Sequence, residues 1–418
     1  MNKQAHITLI GVFAVALIGC STIQPIEPTN SPLPPSATVT ITPIPTTQTP
    51  TNTLTLTPTN TPTRTPTPTA TFTASDTPTP YPFSELPGWF AYMDFECNGL
   101  CSNVSIIRPD TTNRQLLTDH DNGLVIAPYW SPNGQYIAYE FAVLGEDAGL
   151  EIRVYDLVAK EMTILTPNRI YGLLGISWSP DSRFLVFGNG DVYEGDSHIQ
   201  RIDVQSKRIT NLTTASNSRD IDPAWSPDGT KIVFSSTRSG IDAATNNIWI
   251  MDANGSNLMN LTPNDEDGWH DVMPSWSPDG RFITFYRYGN ENESSSLWMM
   301  NADGSDQEPQ LEFSKMADEP PLWSLDGEYI AFVHGDDNSS NVILFDWRWN
   351  EKFILNDSQG KYYGVSWSPD SKALIFMQRI DVMERIIHIR IFLDVGIIQA
   401  DAKTLIDNPA WSPIDELP

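Results

Sequence analysis

One short motif, Trp-Ser-Pro-Asp-Gly with close variants, recurs along the chain, and the spacing of its copies leaves few folds open. It reads Y-W-S-P-N-G at Trp130, S-W-S-P-D-S at Trp178, A-W-S-P-D-G at Trp225, S-W-S-P-D-G at Trp276, L-W-S-L-D-G at Trp323, S-W-S-P-D-S at Trp367 and A-W-S-P at Trp411. The intervals run from 44 residues (Trp323 to Trp367) to 51 (Trp225 to Trp276). A period of about 40–50 residues holds one four-stranded sheet, and a unit that cannot cover its own apolar face must stack on the next one. The repeat therefore predicts an array of antiparallel sheets.

The residues inside each unit explain its local path. Ser-Pro-Asp-Gly is turn chemistry: Pro sets φ at the first corner, Asp suits the second, and Gly accepts positive φ after it. A β-rich run follows, such as Lys231-Ile232-Val233-Phe234, then a polar loop. A third strand at Asn247–Asp252, a second tight turn at Ala253-Asn254-Gly255-Ser256 and a fourth strand ending Leu261-Thr262 complete the unit. We letter these strands a to d. Ser182 and Ser371 replace the turn glycine, Asn133 replaces the turn aspartate, and Leu325 replaces the proline. Serine at a positive-φ position costs on the order of 1 kcal/mol relative to glycine, so the third and seventh units are expected to turn differently.

The ends of the array decide how it closes. Residues 88–118 supply b, c and d strands with no W-S-P strand before them, and the missing a strand lies at Asn408-Pro409-Ala410-Trp411. Pairing the two ends would complete a first blade and remove exposed edges. The expected fold class is all-β, a seven-bladed β-propeller closed by the C-terminal strand. Six blades is the alternative count, because residues 379–404 are irregular.

The pattern P-x-W-S-P-D-G-x-x-I-x-F, then I-W-I-M-D-x-N-G, then L-T, matched nearly position for position by residues 222–262, resembles the TolB-like propeller repeat, a WD-like repeat also seen in the propeller domains of prolyl-oligopeptidase-type peptidases. The likeness extends over 88–413. It implies a propeller and says little about activity, since propellers host many.

Ahead of the repeats the composition changes twice. Residues 1–20 carry Lys3, an apolar run from Ile7 to Ile18 and the ending Leu17-Ile18-Gly19-Cys20. The run is too short for a permanent span and suits a signal peptide, and the ending resembles a bacterial lipobox, which implies lipidation of Cys20. Residues 21–82 are dominated by Thr, Pro, Ser and Asn, too proline-rich for helix or central strand and too poor in large apolar groups to order, so a disordered linker is expected. Residues 83–418 form the propeller domain. The expected location is extracytoplasmic, lipid-anchored to a bacterial membrane, on the periplasmic side or the cell surface. In an exported chain Cys97 and Cys101 are expected to form a disulfide, with free thiols as the alternative; their spacing is a poor zinc signature.

The chain carries a formal net charge of −27, and the first 82 residues hold only Lys3, Glu27, Arg64 and Asp76. Such an acidic domain repels nucleic acid and anionic headgroups, so no nucleic-acid partner is expected, and membrane contact is expected through the lipid anchor only. Strand order places the a–b and c–d turns on one face and the longer b–c and d–a loops on the other, which we call face one. Long loops on a rigid scaffold carry binding. The candidate binding face comprises Asp220, Asp222, Arg238, His270, Asp271, Arg287, Asp318, Glu319, Tyr362, Tyr363 and Asp407. Converging carboxylates there suit a cation or a basic peptide, against the plainer reading that they cap local backbone. Arg238 and Arg287 suit a ligand carboxylate, against pairing with neighbouring acids.

No cofactor and no metal are expected, and the acidic loop 264–271 is a weak Ca²⁺ candidate because it lacks the EF-hand spacing. No G-x-S-x-G, H-E-x-x-H or P-loop occurs. The function expected is a monomeric, non-catalytic binding or scaffolding module for a protein, peptide or glycan of the cell envelope. The alternative is an extracytoplasmic glycan-active lyase or hydrolase using face-one carboxylates and His270.

Overall fold

A computed structural model describes residues 86–417 apart from 97–100, 111, 121–122, 146–148, 167–172, 192–195, 215–217, 239–244, 264–267, 290–294, 314–318, 336–338, 357–359, 380–384, 394–395, 405 and 414–416. The expected signal peptide, Cys20 and the expected linker lie outside the described residues. So does Cys97, whereas Cys101 is buried and disulfide-bonded. The described strands form seven four-stranded antiparallel sheets, which makes seven blades rather than six. Blade 4 shows the common order, with Asp220–Trp225 as a, Lys231–Ser236 as b, Asn247–Asp252 as c and Met259–Asn260 as d. In blades 3 to 6, and from blade 7 through blade 1 to blade 2, the a strands of neighbouring blades pack against one another and so form the inner edges. Antiparallel a-b-c-d order puts both tight turns at one end of every blade, as expected from the repeat.

Blade 1 is composite. Its a strand, Ile406–Trp411, pairs with Phe90–Glu96, with Phe90 opposite Trp411. The irregular stretch before it forms the last two strands of blade 7, Arg385–Leu393 and Gly396–Thr404.

Each letter of the motif has a distinct packing task. In three seams the tryptophan indole reaches into the preceding blade and donates to the carbonyl just before that blade's own tryptophan: Trp178 to Tyr129 (3.0 Å), Trp276 to Ala224 (3.3 Å) and Trp367 to Leu322 (3.2 Å). Trp130 makes the same bond to Ala410 at 3.0 Å, so the seam that joins the chain ends is built like these three, whereas Trp323 donates to Thr284 Oγ1 and Trp225 Nε1 is buried without a hydrogen-bond partner. The serine hydroxyl donates to the turn Asp (Ser277 to Asp279, 2.6 Å) and accepts the N–H five residues on (Phe282, 2.9 Å). The closing Leu-Thr pair satisfies strand c, as Leu261 N–H donates to the Ile248 carbonyl and Ile248 N–H to Thr262 Oγ1. A serine that opens strand c ties each of three seams to the next blade: Ser102 with Val125, Ser197 with Asp220, and Ser340 with Tyr362.

The turns of blades 3 and 7 do not differ, contrary to expectation. Ser182 and Ser371 adopt φ of 60°, close to the 71° of Gly229 and Gly280, and keep the same turn bond. Their hydroxyls accept the backbone N–H of Asn133 (3.0 Å) and Asp326 (3.1 Å) from the preceding blade. A bond between blades, worth about 0.5–1.5 kcal/mol, offsets the backbone strain of similar size.

Candidate functional site

Face one is built around an interruption of the a–b ladder just before the tryptophan. Pairing skips between Ile221 and Ala224 in blade 4, Val272 and Ser275 in blade 5, and Tyr363 and Ser366 in blade 7. The residue at the skip takes positive φ: Asp222 at 52°, Met273 at 54°, Gly364 at 67°, and Gly175 of blade 3 at 81°. The bulges of blades 3 and 4 meet, since a Cβ added to Gly175 would lie 3.1 Å from Asp222 Cα. An extra residue in an edge strand re-aims its side chain, and here the inner edge of each blade presents one residue toward its neighbours.

Most of the expected residues come together here, but in two roles. Asp220 and Asp271 are fully buried. Asp271 holds Arg287 through two bonds, Oδ1 to Nε at 2.6 Å and Oδ2 to Nη2 at 2.8 Å. Asp220 accepts from Arg238 and from Ser236 Oγ (2.6 Å). Arg287 also covers the Trp298 ring at 4.2 Å, and Arg238 lies 5.3 Å from the rings of Phe234 and Trp249. The two arginines therefore pair with neighbouring acids, and their clamp geometry is already occupied. Glu319 takes the plain capping role, its Oε1 accepting the bulge N–H of Gly364 in the next blade at 2.7 Å.

Tyr362 departs from the expected face. It is buried, edge-on to Phe376 at 5.9 Å within the core shared by blades 6 and 7. Strand alternation turns it away from the neighbouring Tyr363, which is half-buried beside the bulge. His270 stacks on Tyr288 (4.8 Å, 15°), with Asn246 N–H 3.4 Å from its Nδ1. Asp318 and residues 264–267 of the acidic loop lie outside the described residues, and only the backbone of Asp407 is described, opposite Met93. Among the described residues no group of three or more His, Cys, Asp or Glu is placed to share a metal ion.

Two carboxylates are perturbed by burial. Solvent reaches part of Asp222, yet the surrounding protein pushes its pKa up to about 6, against the opposing pull of Arg219 and the Met273 N–H. Glu140, in strand b of blade 2 (Tyr136–Val143), is pushed up to about 7 by burial, with the Tyr129 hydroxyl donating to it at 3.2 Å in opposition. Burial raises Tyr129 and Tyr286 well above the ordinary phenol value, and Glu319 adds to both.

Sequence reasoning missed Glu140, Tyr129, Arg219 and Tyr288. Glu140 had a legible signal: it follows Tyr139 at the repeat position where Gly188, Ser235, Val333 and Met377 follow a phenylalanine, and a carboxylate there is out of pattern.

A family model described as TolB beta propeller domain matches residues 90–244 and 241–415. An uncharacterized peptidase, YuxL, of Bacillus subtilis (strain 168) is 33% identical over 116 residues, which is 26% of this chain and 16% of that protein. An uncharacterized protein, Atu1656, of Agrobacterium fabrum is 25% identical over 266 residues, covering 60% of this chain and 84% of that protein. Among solved structures, oligogalacturonate lyase from Vibrio parahaemolyticus superposes with a TM-score of 0.56 at 13% identity, over 74% of this chain and 91% of that one. At that identity the likeness is one of fold.

Proposed function

The chain belongs to the TolB β-propeller family, and on that premise we propose that it is a non-catalytic binding or scaffolding module, held outside the cytoplasm by a lipid on Cys20. Its occupant is a protein, peptide or glycan of the cell envelope, received on face one. The observation that carries this reading is the Asp271–Arg287 pair together with Asp220–Arg238. The charged groups best placed for chemistry are buried against each other as counterions, so they stiffen the face instead of moving protons. A rigid face with longer loops at its rim is what a recognition surface needs.

The test is capture of partners from an envelope extract by the full chain, beside Asp222→Asn with His270→Gln on face one and Arg183→Gln on the opposite face. A partner lost only with the face-one changes is the expected result. Identical partner lists for all three would count against face one.

A lyase or hydrolase working on glycans is favoured by one observation, the placement of Glu140 near neutrality beside the Tyr129 hydroxyl, since a group poised there can take or give a proton. Under that reading the full chain turns over a member of a panel of cell-wall and plant polysaccharides and Glu140→Gln does not. No turnover across the panel removes it.

A further inference from the structure

Three arginines stand at the face-one ends of blades 4 and 5, and their electrostatic circumstances differ. Arg238 and Arg287 each have a buried aspartate. Arg219 has no carboxylate within ion-pair distance among the described residues, and its Nε is buried with no hydrogen-bond partner. Its backbone is set by the sheet: the N–H donates to Thr237 Oγ1 at 2.9 Å, the carbonyl accepts the Thr237 N–H at 3.2 Å, and it bridges to Ser197. The side chain is thus carried to this place by β-structure, not drawn there by a counterion. A partly buried guanidinium without an anion is costly, and in a chain of net charge −27 its isolation is conspicuous.

Two groups lie close enough to interact with it electrostatically. One is Asp222, beyond ion-pair distance on the bulge of the same blade, and the other is Tyr288 of blade 5, whose ring is backed by His270. A cation and a carboxylate at one end of the blade that form no ion pair with each other, beside an aromatic ring, offer a bridging molecule one polar contact of each sign. We propose that Arg219 and Asp222 form a subsite for a small 2-amino or 2-hydroxy carboxylate. The ligand carboxylate accepts from the guanidinium, and the amino or hydroxyl group on the adjacent carbon donates to Asp222. Tyr288 forms the wall. Arg219 supplies a planar fork matched to a carboxylate, and the neighbouring donor adds a second hydrogen bond to the Asp222 carboxylate beside the one from the Met273 N–H. This rests on the face-one reading and names a ligand chemistry for it.

Calorimetric titration of the full chain with glycine, lactate and acetate tests the assignment. Glycine or lactate binds saturably, and whichever is tighter identifies the amino or the hydroxy source. Acetate, which lacks the second donor, binds about tenfold more weakly or worse, and Arg219→Gln weakens the preferred ligand by about tenfold or more. Without ligand, Arg219→Gln melts at the same temperature as the parent or above it, because an unpaired charge has been removed. Absence of saturable binding by glycine and lactate, equal affinity in Arg219→Gln, or a lowered melting temperature in that variant would each overturn the subsite. The face-one reading itself is decided separately by the partner-capture experiment, so the two failures are distinguishable.

Discussion

Replacing Arg287 by methionine separates a structural counterion from a ligand clamp. Asp271 is fully buried and both its oxygens are committed to Arg287, at 2.6 and 2.8 Å. Arg287→Met keeps much of the side-chain volume beside Trp298 and removes the charge, leaving a carboxylate with no cation in the protein interior. Breaking a buried pair in this way costs about 3–5 kcal/mol, whereas replacing both partners by apolar groups is often neutral. For a domain of roughly 330 residues the unfolding entropy is about 0.7 kcal/mol per degree, so the single change lowers Tm by about 4–7 °C. Asp271→Leu with Arg287→Met recovers most of that loss, and the two changes are strongly non-additive. The assay is thermal unfolding of the full chain and its variants, followed by circular dichroism at fixed protein concentration. A Tm within about 1 °C of the parent for Arg287→Met would refute the reasoning, because a residue poised for an outside carboxylate contributes little in its absence. A double variant as unstable as the single would place the loss in packing, not in charge.

Two further outcomes follow from the geometry. Glu140 titrates at about 7 in the fold against an ordinary value of 4.5, so the folded state holds its proton over that interval while the unfolded state does not. The parent therefore loses stability as pH rises from about 4.5 to 7, and Glu140→Gln, which keeps the acceptor for Tyr129, is more stable by about 1–3 kcal/mol above pH 7 and not below pH 4.5; denaturant titration across that range checks it. Ser182→Ala retains the positive φ and loses the bond from Asn133 N–H, so it destabilises by about 1 kcal/mol, whereas Ser182→Gly costs less because the backbone strain is relieved, a difference readable in the same denaturant curves.

The W-S-P-D-G copies carried almost the whole architecture. Their spacing set the blade, the turn residues set the a–b corner, and the a strand at Trp411 with the b strand at Phe90 announced how the ring closes. Legibility failed where a residue's neighbour comes from another blade. Ser182 looked like a strained substitute for glycine because Asn133, which donates to it, lies 49 positions away. Arg238 and Arg287 read equally well as ligand clamps or as partners of nearby acids, and strand pairing decided for the acids. Tyr362 and Tyr363 looked alike in a run of tyrosines, and one step along the strand sends the first into the core.

Taken alone, the amino-acid order determined what is local and periodic: which segments extend, where they turn, and that each apolar face needs a neighbouring copy to cover it. Only the tertiary structure decided which charges meet. The bulge before Trp225 rotates Asp222 out of the ladder, while Asp220, two residues earlier, is buried against Arg238. Nearly identical positions in the repeat thereby acquire opposite fates. The physical reason is that turn and strand preferences act over a few residues, whereas desolvation and ion pairing depend on what the adjacent blade brings within a few ångströms.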